Sequence, residues 1–158
     1  MNPGVKADFV NPFVTAACQV LETETKGAVR RGQVTVKDSP LVSDEVTVLI
    51  GVVGKAQGLV LYGMSEATAL KLVSSMTGEE VGTFDALAES AVAELGNVIT
   101  GVASGELEKA GYSVKIAPPS VVVGKGSTIS TLSIKRLVIP LETTQGEITM
   151  HVALRETY

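Results

Sequence analysis

The sequence predicts an α+β fold, with long helices packed on a largely antiparallel sheet, and three observations predict it. Apolar residues recur at three- and four-residue steps in three stretches and alternate along most of the others. The run Val48-Leu-Ile-Gly-Val-Val53 is apolar throughout, as in a strand covered on more than one side. An offset of 88 residues superposes Gln57-Gly58 on Gln145-Gly146, Val48-Leu-Ile50 on Arg136-Leu-Val138, and Leu59-Val-Leu61 on Glu147-Ile-Thr149. Each copy has a helical pattern ahead of its strand set, so the domain reads as a pseudo-duplicated, layered structure.

Taken in order, Met1 to Asp8 is polar and reads as loose chain. Asn11 is placed to cap a first helix, with Pro12 at its first position and Gly27 as its stop. Phe13, Ala16, Ala17, Val20 and Leu21 form that helix's buried side. Strand patterns follow at Val29 to Lys37, Val46 to Val53 and Leu59 to Met64, the last two joined by a hairpin turn at Gly54-Lys-Ala-Gln-Gly58. Ser65 caps a second helix that Gly78 closes, with Ala67, Leu70, Leu72, Val73 and Met76 facing inward.

Thr83 or Asp85 then opens a long helix ending at Gly111. Leu87, Ala88, Ala91, Leu95, Val98, Ile99 and Val102 make its apolar face. Ser90, Glu94, Asn97, Gly101, Ser104 and Glu108 recur at the same steps on the other side, beside Ala93 and Gly105. Taken alone, that stripe reads as the solvated face of an amphipathic helix, or as a polar pair above small residues that a partner surface could approach. Strand patterns resume at Tyr112 to Ile116, Ser120 to Val123, Thr128 to Ile134, Leu137 to Leu141 and Glu147 to Leu154, with Pro118-Pro119 forcing an extended break.

Length suits one domain spanning residues 1–158, with a core of its own. Hydrophobic residues make up 45% and aromatic residues 4%, so the core is aliphatic. A net charge of −4 with no basic stripe argues against nucleic acid or an anionic membrane as partner. No run is long enough to cross a bilayer and no signal-peptide pattern opens the chain, so a cytoplasmic setting is expected. Cys18 stands alone and reads as a small core residue.

Other constellations fail on chemistry. Gly124-Lys-Gly-Ser-Thr128 is not a phosphate loop, since Pro119 stands where the first glycine belongs and Gly126 follows the lysine; it reads as a turn. His151 is the single histidine, without an acid at ligand spacing, and reads as a sheet residue. What remains is Ser90, Glu94 and Asn97.

The pattern Ser90-x3-Glu94-x2-Asn97 on a helix, with twenty-one residues between Asn97 and Pro119, resembles the signature of the CheC/CheX family of bacterial chemotaxis phosphatases, CheX-like branch. The stretches Glu94-Leu-Gly-Asn97-Val-Ile-Thr-Gly101, Gly111-Tyr112 and Ile116-Ala-Pro-Pro119-Ser-Val-Val-Val-Gly124-Lys-Gly126 resemble it in order and spacing, as do Phe9-Val-Asn-Pro-Phe13 and the Gly54…Gly58 hairpin. Two departures stand out. The first helix reads Ala17-Cys-Gln-Val-Leu-Glu22, without the Glu-x2-Asn of two-site CheC-type relatives, which implies one site. The spacing to Pro119 is one residue short of the longer family form.

The resemblance implies hydrolysis of the aspartyl phosphate of a CheY-type response regulator. Asn97 would position the attacking water and Glu94 would pair with a regulator lysine. Ser90, Gly101 and Ser104 would contact the partner, and the regulator would bring its own Mg²⁺. It also implies a homodimer, for which an open strand edge at the C-terminal hairpin offers one physical route. A non-catalytic module docking on a regulator or a flagellar switch component is the alternative from another class.

Overall fold

The computed structural model describes residues 7–157. A 3-10 turn at Ala7–Phe9 runs into helix α1 (Val10–Thr25). Three short strands follow: β1 (Arg30–Arg31), β2 (Thr35–Lys37) and β3 (Leu41–Val42). Then come the long strands β4 (Val46–Gly54) and β5 (Ala56–Met64) and the helices α2 (Glu66–Thr77) and α3 (Ala86–Lys109). Strands β6 (Val114–Ile116), β7 (Ser120–Val123) and β8 (Thr128–Ile129) lead to a final hairpin of β9 (Arg136–Thr143) and β10 (Gly146–Glu156).

All pairings among these strands are antiparallel. The main sheet runs β1-β9-β10-β5-β4-β6, with β2 also on β9 and β7 also on β4; β3 and β8 make a separate small sheet. The α+β layering and the two related hairpins agree with the sequence. The hairpins β4–β5 and β9–β10 join through their second strands, with Tyr62 opposite Met150. The turns differ in detail: the first reverses around Lys55, so Gln57-Gly58 lies inside β5, whereas Gln145 is in the second turn.

Both outer edges of the sheet carry an interrupted strand. On one edge β1 and β2 both lie on β9, split opposite Pro140, which has no N–H to offer them. The single predicted strand from Val29 to Lys37 is therefore two. On the other edge β6 and β7 both lie on β4, and Pro118-Pro119 separates them. The register shifts by one residue across that break, from Val52 opposite Ile116 to Leu49 opposite Ser120. Short, proline-broken edges resist pairing with another chain. The open edge expected at the C-terminal hairpin is not there: β10 is central and the outer side of β9 is covered by β1 and β2.

All three helices lie on one face of the sheet. Their buried residues, among them Phe13, Leu21, Leu72, Leu95, Ile99 and Leu107, share one apolar core with Val48, Ile50, Val60, Ile139, Met150 and Val152 from the strands. Fully burying each such side chain stabilises the fold by about 1.5–3 kcal/mol. Alternation puts Leu61, His151 and Ala153 on the opposite face. There the loops around β3 and β8 close over the sheet: Asp44 lies against Gly63, and Arg136 reaches the carbonyls of Asp38 and Pro40.

Several local expectations need correction. Asn11 does not cap α1, because the 3-10 turn leads directly into the helix at Val10. Pro12 still sits in the first turn, where its missing N–H leaves no intrahelical bond unmade. Lys26, with φ 55°, takes the left-handed position after α1 in place of Gly27. Gly27 instead allows close approach, since a β-carbon there would stand 2.5 Å from Thr144 Cγ2. In α2 the inward residues are Thr68, Ala69, Leu72 and Val73; Ala67 is exposed, and Leu70 and Met76 are half-buried. The strand expected from Thr128 to Ile134 ends at Ile129, because Leu132 and Ser133 turn the chain at φ 57° and 61°. Of the loose stretch expected at Met1 to Asp8, residues 1–6 lie outside the described residues, and Ala7 and Asp8 belong to the 3-10 turn.

Candidate functional site

Helix α3 carries the predicted site and starts where one of two expected caps puts it. Asp85 is extended, and its Oδ1 accepts from the Ala88 N–H at 2.9 Å. Glu89 in the first turn and Lys109 in the last both suit the helix dipole. Gly111, at φ 97°, turns the chain out of the helix.

The buried side of α3 is Ala88, Val92, Leu95, Gly96, Ile99, Thr100, Ala103 and Leu107. This face is rotated from the one predicted. Ala88, Leu95 and Ile99 are buried and Ala91 and Val102 half-buried, but Leu87 is 80% exposed and Val98 41%. The rotation follows from two residues that apolar periodicity does not count. Gly96 sits so close to the sheet that a β-carbon would stand 2.9 Å from Val48 Cγ1 and 3.2 Å from Tyr62 Cδ2. Thr100 turns inward because its hydroxyl is fully engaged, donating to the Gly96 carbonyl at 2.8 Å and accepting from the Tyr62 hydroxyl at 2.8 Å.

The outer side brings the predicted residues together. Ser90, Glu94, Gly101 and Glu108 are exposed, and Asn97 and Ser104 are half-buried. Glu94 and Asn97 stand three positions apart, so the carboxylate and the carboxamide are surface neighbours about 4.5 Å apart along the axis. Among the described residues, neither side chain has a hydrogen-bond or ion-pair partner. Both are therefore available to an incoming molecule. A β-carbon on Gly101 or Gly105 would meet nothing within 4 Å, so nothing inside the chain requires glycine at either place. Each costs the helix about 0.8–1.0 kcal/mol relative to alanine.

Beside this stripe, α3 and β7 enclose a shallow recess of about 320 Å³ lined by Ala86, Glu89, Ser90, Ala93, Pro119 and Val121. The fold thus puts Pro119 and Ser90 on the walls of one recess, although the two are far apart in sequence. The sequence signals were the spacing from Asn97 to Pro119 and the stretch Pro119-Ser-Val-Val-Val123 that holds Val121; Glu89 carried none of its own.

The residues set aside in the sequence lie elsewhere. His151 is on the sheet face away from α3. Its Nδ1 accepts from Arg136 Nε at 3.2 Å, and burial, then the positive charges of Arg136 and Lys37, lower its pKa to about 4. Cys18 is half-buried and not in the core proper, and burial and then Glu22 raise its thiol pKa. Gly124-Lys-Gly126 is a turn, both glycines having positive φ. Among the described residues no group of three or more His, Cys, Asp or Glu side chains could hold a metal ion, and no helix is long and apolar enough to cross a membrane.

Comparison with known proteins bears directly on this helix. Residues 46–142, which contain all of α3 and β7, match the family model described as chemotaxis phosphatase CheX. The CheY-P phosphatase CheX of Thermotoga maritima is 34% identical over 116 residues, covering 72% of this chain and 74% of its own. A crystal structure of the chemotaxis protein CheX from Desulfovibrio desulfuricans superposes with a TM-score of 0.82 at 30% identity, covering 95% of this chain and 99% of the other. The CheX–CheY–BeF3–Mg²⁺ complex from Borrelia burgdorferi matches with a TM-score of 0.76 at 26% identity, over 96% of this chain and 100% of the other. A family match over more than half the chain, a relative alike over most of its length and a shared fold agree: this chain belongs to the CheX family of chemotaxis phosphatases.

Proposed function

We propose that this protein hydrolyses the aspartyl phosphate of a CheY-type response regulator, and that residues 1–158 act as one CheX-like phosphatase domain in doing so. The observation that carries the reading is the unpartnered pair Glu94 and Asn97, one turn apart on the outward side of α3. The CheX family membership and the CheX–CheY complex of a relative support the choice of partner.

An acyl phosphate is already a reactive bond, and what it lacks is a water held in line with phosphorus. In this reading the Asn97 carboxamide enters the regulator's active site and orients that water through its donor and acceptor atoms. The water oxygen bonds to phosphorus as the bond to the aspartyl oxygen breaks, leaving the free carboxylate and inorganic phosphate. A neutral amide suits the place because a carboxylate would repel the phosphoryl oxygens. Glu94 pairs with a lysine of the regulator and fixes how deeply Asn97 enters, which gives register more than raw affinity. Ser90, Gly101 and Ser104 contact the partner along the same stripe, their small side chains letting its loops come close. Mg²⁺ enters with the regulator and stabilises the phosphoryl charge there.

A homodimer is part of the same proposal, through a surface other than the C-terminal hairpin. The assay for the activity is direct. A CheY-type regulator is phosphorylated in the presence of Mg²⁺, and phosphate release is followed with and without this protein. Acceleration supports a phosphatase. Complex formation without acceleration would leave a docking module in its place.

A further inference from the structure

Two large apolar side chains on α3 remain in water, and both lie on the Glu94 side of the stripe. Leu87 is 80% exposed, the most exposed of the large hydrophobic residues described, and Val98 is 41% exposed. The helical repeat places Leu87, Glu94, Val98, Gly101 and Gly105 along one line, at steps of seven, four, three and four residues. Leu87 therefore stands about 10 Å from Glu94 toward the start of the helix, and Val98 about 6 Å beyond it. The pair brackets the carboxylate.

We infer that Leu87 and Val98 are specificity-determining residues that seal the Glu94 ion pair from water when the response regulator docks on α3. The inference rests on the reading of α3 as the regulator-binding face and adds what sets affinity there. The occupant is the regulator because the two side chains are continuous with Glu94 and Asn97, on one rigid helix. A globular partner centred on Glu94 would span the roughly 16 Å between the two side chains. Isolated surface ion pairs are worth little, since solvent and salt screen them. Apolar side chains that exclude water around a charged contact lower the local dielectric and strengthen it. Leu87 is covered very little by the rest of the chain and Val98 leaves 41% of its surface in water, whereas the adjoining Ala88 and Ile99 are buried.

The test compares the natural chain with Leu87→Ser, Val98→Ser and the double variant. Affinity is measured for a CheY-type regulator loaded with BeF3⁻ and Mg²⁺, at low and high salt, together with kcat, KM and thermal melting. The double variant is expected to lose affinity on the order of tenfold and to raise KM in parallel. Its kcat at saturating regulator should stay within about twofold and its melting temperature should fall by no more than about 4 °C, as for the loss of roughly 1 kcal/mol. The loss of affinity with added salt should be steeper than in the natural chain, because the Glu94 pair is no longer shielded. Leu87→Met, which keeps the apolar volume, should retain most of the affinity. Unchanged affinity and unchanged salt dependence in the double variant would overturn the inference while leaving the phosphatase reading intact. Tight binding by the natural chain without phosphate release would overturn the phosphatase reading and leave this inference standing.

Discussion

The Tyr62 hydroxyl lies 2.8 Å from Thr100 Oγ1, and both residues are buried. Thr100 gives its own proton to the Gly96 carbonyl, so Tyr62 is the donor between them. This bond ties α3 to the central strand β5 one turn beyond Asn97. Burial raises the Tyr62 pKa, so the phenol keeps its proton throughout the working range.

Tyr62→Phe removes that donor without opening a cavity and leaves Thr100 bonded to Gly96. Loss of one buried hydrogen bond should cost about 1 kcal/mol, read as a lower urea midpoint. Because the bond positions α3, phosphate release should also slow by a few-fold, with little change in regulator affinity.

The glycines of α3 should part company when changed to alanine. Gly96→Ala pushes a β-carbon into Val48 and Tyr62 and should destabilise by roughly 1–2 kcal/mol, overpacking outweighing the gain in helix propensity. Gly101→Ala meets open space and should stabilise by up to about 1 kcal/mol. The same added methyl stands on the proposed docking face, so KM for the phosphorylated regulator should rise. Denaturant unfolding and steady-state kinetics on both variants check the contrast.

His151 makes stability depend on acid. It binds a proton with a pKa of about 4 in the fold against 6.5 in the unfolded chain, owing first to burial and then to Arg136 and Lys37. Between those values the unfolded chain holds more protons, so this contribution is complete above about pH 7 and is lost as pH falls toward 4. The loss should be on the order of 1–3 kcal/mol. His151→Gln keeps an acceptor for Arg136 and should flatten the slope between pH 7 and 4 in parallel unfolding titrations.

How much was legible beforehand depended on whether the cause was local. Ser65, Asp85 and Gly78 announced the helix ends because caps act within one turn of the chain. The duplicated hairpins were legible because each is a contiguous pattern. The turn position was not, since Gly58 adopts a positive φ within β5, where a β-carbon would strike the Ala153 carbonyl. The split of β1 from β2 depends on Pro140, over a hundred residues further along. The rotation of α3 had the same origin: Gly96 and Thr100 face inward because of Val48 and Tyr62, which only the folded sheet brings near. Ser90, Glu94, Asn97, Gly101 and Ser104 were legible as one helix stripe, while the recess that Ser90 shares with Pro119 and Val121 was not.

Glu94→Ala should weaken both binding and rate. The loss is expected to be at least about 1 kcal/mol in affinity, since one member of an ion pair shielded by the docked regulator is removed. Titration of the BeF3⁻-loaded regulator against the variant measures it, and affinity equal to that of the natural chain would argue against the pairing role.

In the proposed division of labour Asn97 performs the chemistry and Glu94 the registration. That division is tested most directly by Asn97→Ala, with phosphate release from the phosphorylated regulator and affinity for the BeF3⁻-loaded regulator measured on the same preparation. Accelerated release should disappear while affinity stays within a few-fold of the natural chain. Release at the natural rate from the Asn97→Ala protein would contradict that division.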